Sequence, residues 1–236
     1  MDIKIFRDIS ELSQAAAKSF VELANQSIAR RGRFLVALSG GSTPAKLYER
    51  LANEALNWSQ VHFFWGDERC VPVGNSENSY GQVKKVLIDK VNATNIHRVH
   101  SELEPDSAAA DYAHTLSGFA DPPLDFPRFD LVLLGMGDDG HTASLFPGSP
   151  VEVDTPTLAV TTHYQDRPVN RITLTPLVFN QAREVWFLVA GQSKAATLKN
   201  VIKGEIKPEV YPAQRIHPID GNLVWMIDEA AGSLIK

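Results

Sequence analysis

A single cysteine, Cys70, stands among 236 residues, so the chain can form neither an internal disulfide nor a cysteine-based metal cluster. That usage fits a reducing cytoplasm, and a passive thiol is the expected role. No apolar stretch approaches the roughly 18 residues needed to span a bilayer. The amino-terminal MDIKIFRDIS also lacks the apolar centre of a signal peptide. There is no basic run and no interleaving of basic with aromatic residues, and the formal charge is -5, which together argue against a nucleic-acid partner. Three catalytic signatures are missing as well: the GxSxG nucleophile elbow, the GxxxxGK[ST] nucleotide loop and the HExxH metal motif. No linker, repeat or low-complexity tract interrupts the chain. What remains, 44% hydrophobic and 22% charged, suits one large α/β domain over residues 1–236.

Apolar strand candidates fall at 34–38, 61–65, 129–134, 157–162, 171–174 and 184–189, with amphipathic stretches between many of them. Such alternation predicts βαβ units packed as a three-layer α/β/α sandwich around a mainly parallel, Rossmann-like sheet. Residues 10–30 carry Leu12, Ala16, Phe20, Leu23 and Ala24 at helical spacing and read as a packing helix. The proline-dense ADPPLDFPRF, 120–129, cannot continue a helix and leads the chain into a central strand.

Three strand ends carry chemistry. In FLVALSGGSTPAKLYERL, 34–51, an apolar strand runs into glycines and then a helix. Gly40 and Gly41 expose backbone amides, Ser42 or Thr43 can cap the helix, and Pro44 suits its first turn. Amides and the positive end of the helix dipole then face one point, where a phosphate fits. In VHFFWGDERC, 61–70, a second run ends at Gly66 and releases Asp67, Glu68 and Arg69 together, with Asp67 and Arg69 expected to face a crevice at the carboxyl edge of the sheet. In FDLVLLGMGDDGHTASLFPGSP, 129–150, a buried strand delivers His141 into a glycine-hinged turn. Gly135, Gly137 and Gly140 spell GxGxxG there, but Asp138 and Asp139 would repel a pyrophosphate and HTASLF is too short for the following crossover helix. NAD binding is therefore set aside.

Read in order, SGGSTP, WGDER with VP following, GMGDDGHTASLFPG, RITLT at 171–175 and GQSKA at 191–195 resemble the 6-phosphogluconolactonase family of the glucosamine-6-phosphate isomerase superfamily along nearly the whole chain. HTASLFPG is the most specific piece; at ENSYG the chain departs slightly, with Asn78 and Ser79 where family members often carry Ser-Asn. The resemblance implies hydrolysis of a sugar-phosphate lactone, without cofactor or metal. It also implies that the phosphate is held by Gly40, Gly41, Ser42 and Thr43 together with Arg171 and Lys194. Neutral His141 can take a proton from water and return it to the leaving alkoxide. Asp139 or Asp67 can orient the imidazole or the water, and Arg69 or backbone amides can hold the developing negative charge. The other histidines, His62, His97, His100, His114, His163 and His217, are expected in surface or structural roles, and Ser144 as a capping or packing residue on the His141 side of a helix. The partner expected is a small sugar-phosphate lactone rather than a membrane or nucleic acid, with the chain as a monomer or weak dimer. Two rival readings are an amino-sugar phosphate isomerase-deaminase using Asp67, Asp139 and His141, and a non-enzymatic sugar-phosphate sensor.

Overall fold

The computed structural model describes residues 1–163 and 169–235. Its elements in chain order are β1 (Asp2–Phe6), α1 (Ile9–Arg31), β2 (Phe34–Leu38), α2 (Ser42–Leu51), β3 (Val61–Trp65), β4 (Asp67–Arg69), α3 (Ser79–Val83), α4 (Pro105–Ser117), β5 (Leu131–Leu134), β6 (Thr157–Thr161), β7 (Asn170–Leu174), α5 (Pro176–Phe179), β8 (Glu184–Val189), α6 (Ala195–Lys203) and β9 (Asn222–Asp228). Six strands pair in the order β1-β9-β8-β5-β2-β3, and every pairing is parallel. Buried on both faces, the central strands are continuous apolar runs, as parallel sheets require.

Alternate residues of these strands feed two cores. Phe34, Val36 and Leu38 pack on one side with Leu12, Ala16, Phe20 and Ala24 of α1 and Leu47 and Leu51 of α2. Leu35 and Ala37 pack on the other with Tyr112 of α4, Leu198 of α6 and Ile172 and Leu174 of β7. Helix α1 starts where the Asp8 side chain accepts the Glu11 N–H and ends at Gly32. Its i, i+4 apolar positions fall on one stripe, and Phe20 meets Phe34 edge to face at 5.2 Å. Burying a side chain of that size contributes about 1.5–3 kcal/mol.

The expected three-layer arrangement is present, with one departure. Candidates 157–162 and 171–174 do not join the parallel sheet; they form a separate antiparallel sheet in the order β4-β7-β6. The reason lies in their period. Ile172 and Leu174 of β7 enter the core, while Arg171 and Thr173 face the other way, so the strand has one apolar and one polar face. The charges of Asp67–Arg69, read from sequence as a turn, make β4, the third strand of this sheet. Strands β1 and β9 lie outside the expected set, although the buried run Leu223 to Ile227 carries the same apolar signal as the others.

His62 on β3 and His97 stack with planes 5° apart and centroids 5.3 Å apart, and His97 also lies on Phe64 at 4.5 Å. Burial, reinforced by the charge of His62, pushes His97 down to about 4. A histidine whose folded value is depressed contributes stability above its ordinary value and loses it as pH falls through that value toward the folded one. The contribution of His97 to the thermal midpoint should therefore be flat above pH 7 and decline between about pH 6.5 and 4, against the opposite trend of the raised Glu68 carboxyl. A His97→Phe variant should decline less over that window; identical curves for the two proteins would remove His97 from the acid response.

Candidate active site

The chain moves from β2 outward to β3 on one side and from β5 to β8 and β9 on the other, so the sheet order reverses between β2 and β5. Crevices form at the carboxyl ends of strands at such a switch. Here the loops leaving β2, β5 and β8 surround a cavity of about 320 Å³. Gly40, Gly41, Ser42, Thr43, Asp67, Arg69, His141, Arg171 and Lys194 all line it. Asp139, the tenth residue singled out from sequence, reaches it through His141. None of the other six histidines lines this cavity.

The loop after β2 is held from below. The buried Tyr48 hydroxyl donates to the Ser39 carbonyl at 2.8 Å and accepts the Ser39 N–H at 3.1 Å, pinning the turn to the helix it precedes. Gly41, at φ 107, is the N-cap of α2, and no side chain caps the helix. The expected cap by Ser42 or Thr43 is thus replaced by their position inside the first turn. A left-handed φ at Gly41 is open to glycine and strained for L side chains, and it turns the helix start toward the cavity.

The two-residue period of β4 sorts its three charges. Asp67 and Arg69 share the face toward the cavity, and Glu68 points away from it. Glu68 is fully buried and accepts the N–H groups of Arg69, Ser79 and Tyr80 at 2.8, 2.7 and 2.8 Å. Burial pushes its carboxyl up to about 7 against the pull of those three donors. Ser79, fixed in this way, packs so close to the anion loop that a Cβ on Gly40 would lie 2.6 Å from its Oγ. In the register of β4 with β7, Arg69 sits directly opposite Arg171. Arg69 is answered by Glu77: its Nη1 donates to the Glu77 carbonyl at 2.8 Å and lies 3.8 Å from Oε2. Arg171 lies with its guanidinium 5.3 Å from the Phe146 ring centre, and that ring also packs on His141 at 4.6 Å.

His141 is oriented by its own turn. Asp139 Oδ1 lies 2.6 Å from His141 Nδ1 and also accepts the His141 backbone N–H at 3.1 Å. Burial raises the Asp139 carboxyl, but its hydrogen bond to the imidazole, the imidazole's charge and that N–H outweigh it and hold the group below the usual carboxylate range. An ionised carboxylate only accepts, so Nδ1 carries the proton and the basic lone pair falls on Nε2. No helix follows: Thr142 and Leu145 close a tight bridge, with Ala143 at φ 49. Ser144, placed by sequence on a helix, instead buries its hydroxyl against Asp67, donating to Oδ2 at 2.8 Å. Lys194 follows β8 in a 3-10 turn and pairs with Asp138 at 2.8 Å. Cys70, just past β4, is pushed by burial up to about 11, which keeps the thiol protonated at neutral pH.

With cations, amides and an oriented imidazole around one cavity, the arrangement can bind a dianion and pass a proton at a neighbouring atom. The family of glucosamine-6-phosphate isomerases/6-phosphogluconolactonase matches residues 7–225. The chain belongs to this family. A 6-phosphogluconolactonase from Synechocystis sp. is 41% identical over 215 residues, covering 89% of this chain and 88% of its own. A crystal structure of 6-phosphogluconolactonase from Thermotoga maritima superposes with a TM-score of 0.84 at 28% identity, covering 96% of this chain and 99% of the other. A monomeric glucosamine-6-phosphate deaminase reaches 0.86 at 20% identity over 99% and 100% of the two chains, a likeness of fold alone.

Residues given no role in the site from sequence are the ones that hold the family's motifs in place: Tyr48, Glu68, Phe146 and the Asp138 carboxylate. Gly137 belongs with them, because a Cβ there would meet His141 Nδ1 at 2.1 Å and Asp139 Oδ1 at 2.6 Å. Gly137→Ala should leave the fold intact and, by misplacing the imidazole, lower any turnover that depends on His141 by at least about tenfold. An undiminished rate with correct folding by circular dichroism would show that the close approach at Gly137 has no catalytic consequence.

Proposed function

We propose that the chain hydrolyses 6-phospho-D-glucono-1,5-lactone to 6-phosphogluconate, the lactone-opening step of the oxidative pentose phosphate pathway. The observation that carries this reading is the placement of the Asp139–His141 pair in the same cavity as Arg69, Arg171 and Lys194. The substrate's phosphate is held by the Gly40–Gly41 turn, the amides of Ser42 and Thr43, Arg171 and Lys194, with charged hydrogen bonds supplying the strength. The lactone carbonyl then lies toward His141. Nε2 takes a proton from water as the water oxygen attacks the carbonyl carbon. Asp139 holds the ring in the required tautomer and stabilises the imidazolium. Asp67, fixed by Ser144, orients the water, and Arg69 faces the developing oxyanion. Collapse of the tetrahedral intermediate breaks the bond to the ring oxygen, which recovers the proton from the imidazolium. A lactone is an activated ester, so these groups suffice and no cofactor enters the scheme.

The same proposal treats residues 1–236 as one domain working in the cytoplasm, as a monomer or weak dimer. Among the described residues no helix is long and apolar enough to cross a membrane.

Disappearance of the δ-lactone above its spontaneous background tests the reading. The phosphorylated lactone should be consumed far faster than unphosphorylated gluconolactone, and equal rates would contradict the phosphate cradle. His141→Ala should keep the fold and lower kcat at least roughly a hundredfold, the usual scale for acid-base help. Lys194→Ala should act mainly on KM for the phosphorylated lactone, raising it about tenfold, as expected for one lost charge-assisted hydrogen bond. A His141→Ala protein with unchanged turnover would remove the imidazole from the chemistry.

A further inference from the structure

The turn that carries Asp139 and His141 has a second carboxylate, and it is aimed at the phosphate side of the cavity. Asp138 lines the cavity itself, and its Oδ1 lies 2.8 Å from Lys194 Nζ. Two more contacts join the same pieces of chain: the Ser193 hydroxyl donates to Asp138 Oδ1 at 3.2 Å, and the Thr197 hydroxyl donates to the Asp138 carbonyl at 2.5 Å. The carboxylate is therefore braced from the Gly191–α6 segment rather than free to swing into solvent. The pair contributes little to folding, since the Asp138 side chain is 47% exposed and half-exposed ion pairs are weak. Its effect on an anionic ligand is larger, because both charges face a recess from which a bound ligand displaces water.

We propose that Asp138 is a positioning residue that competes with the ligand's phosphate for Lys194 and so speeds release of the phosphorylated product. The proposal rests on the lactonase reading above and deepens it. Hydrolysis converts the lactone, charged only at its phosphate, into an acid whose new carboxylate adds one negative charge. The product is thus held by the same cations more strongly than the substrate unless something opposes it, and a fixed carboxylate beside the phosphate lysine does so. Hydrogen bonding from Lys194 holds the Asp138 carboxyl below its ordinary value, so the opposing charge persists throughout the neutral range. One turn then sets both ends of the reaction: Asp139 aims the base, and Asp138 restrains the grip on the phosphate.

Inhibition constants for inorganic phosphate and for 6-phosphogluconate, measured on the intact chain, test this. Asp138→Asn should lower both at least threefold and lower the ratio of KM for phosphorylated to unphosphorylated lactone by a similar factor. Ser193→Ala, which loosens the brace, should move them the same way by less. Lys194→Ala should raise the constants, and adding Asp138→Asn to it should then change them by less than twofold, because the carboxylate acts through the lysine. A purely structural ion pair predicts no such gain: unchanged or weaker phosphate inhibition in Asp138→Asn overturns the proposal, as does a full threefold gain in the Lys194→Ala background. Wild-type protein that hydrolyses phosphorylated lactone and is inhibited by phosphate upholds the lactonase reading whichever way Asp138 behaves. Wild-type protein that does neither overturns that reading, and this proposal with it.

Discussion

The contact between Asp139 Oδ1 and His141 Nδ1, 2.6 Å long and closed over Gly137, is the one on which the chemistry proposed for the cavity depends. It fixes the tautomer, and with it the nitrogen that carries the basic lone pair. It also requires a glycine two residues before Asp139, a sharp turn at the carboxyl end of β5, and a buried strand rigid enough to hold that turn. The apolar run Leu131–Leu134, fully buried between two cores, supplies the rigidity. Burial of the hydrophobic strand is thus the physical origin of the precision at the imidazole.

A parallel sheet alone would not complete the site. Its strand ends deliver the amides of the Gly40–Gly41 turn, the His141 turn and Lys194, while the two arginines arrive from the small antiparallel sheet packed beside it. Register places Arg69 opposite Arg171, so two planar guanidinium groups enter the cavity from one direction. The Glu68 carboxylate, on the reverse face of the same strand, ties β4 to the start of α3 and thereby to Gly40. Two sheets of different kind, one apolar and continuous and one alternating, meet at the cavity and share its charge between them.

Much of this was legible in the linear sequence, for reasons that are local. A strand that ends in glycine, a turn with exposed amides, and a lone histidine among glycines and carboxylates are all short-range signals. Nine of the ten residues singled out line one cavity, and the tenth bonds to His141. What was not legible depends on long-range pairing. That Asp67–Arg69 is a strand can be known only from its partner β7, a hundred residues later, and the separate sheet of β4, β7 and β6 follows from the same pairing. Ser144 offered no sign of its bond to Asp67, because the bond spans 77 positions and rests on the left-handed kink at Ala143. Tyr48 reads as an ordinary apolar helix position until its hydroxyl is seen reaching back to Ser39.

In the proposed reaction an imidazole and a phosphate cradle open into one cavity and grip opposite ends of the same molecule. A crystal structure of the chain with 6-phosphogluconate bound tests it most directly. The phosphate is expected against the Ser42 and Thr43 amides, Arg171 and Lys194, with the new carboxylate within hydrogen-bond distance of His141 Nε2. A phosphate seated away from the Gly40–Gly41 turn, or a product bound end for end with its carboxylate on Lys194, would contradict it.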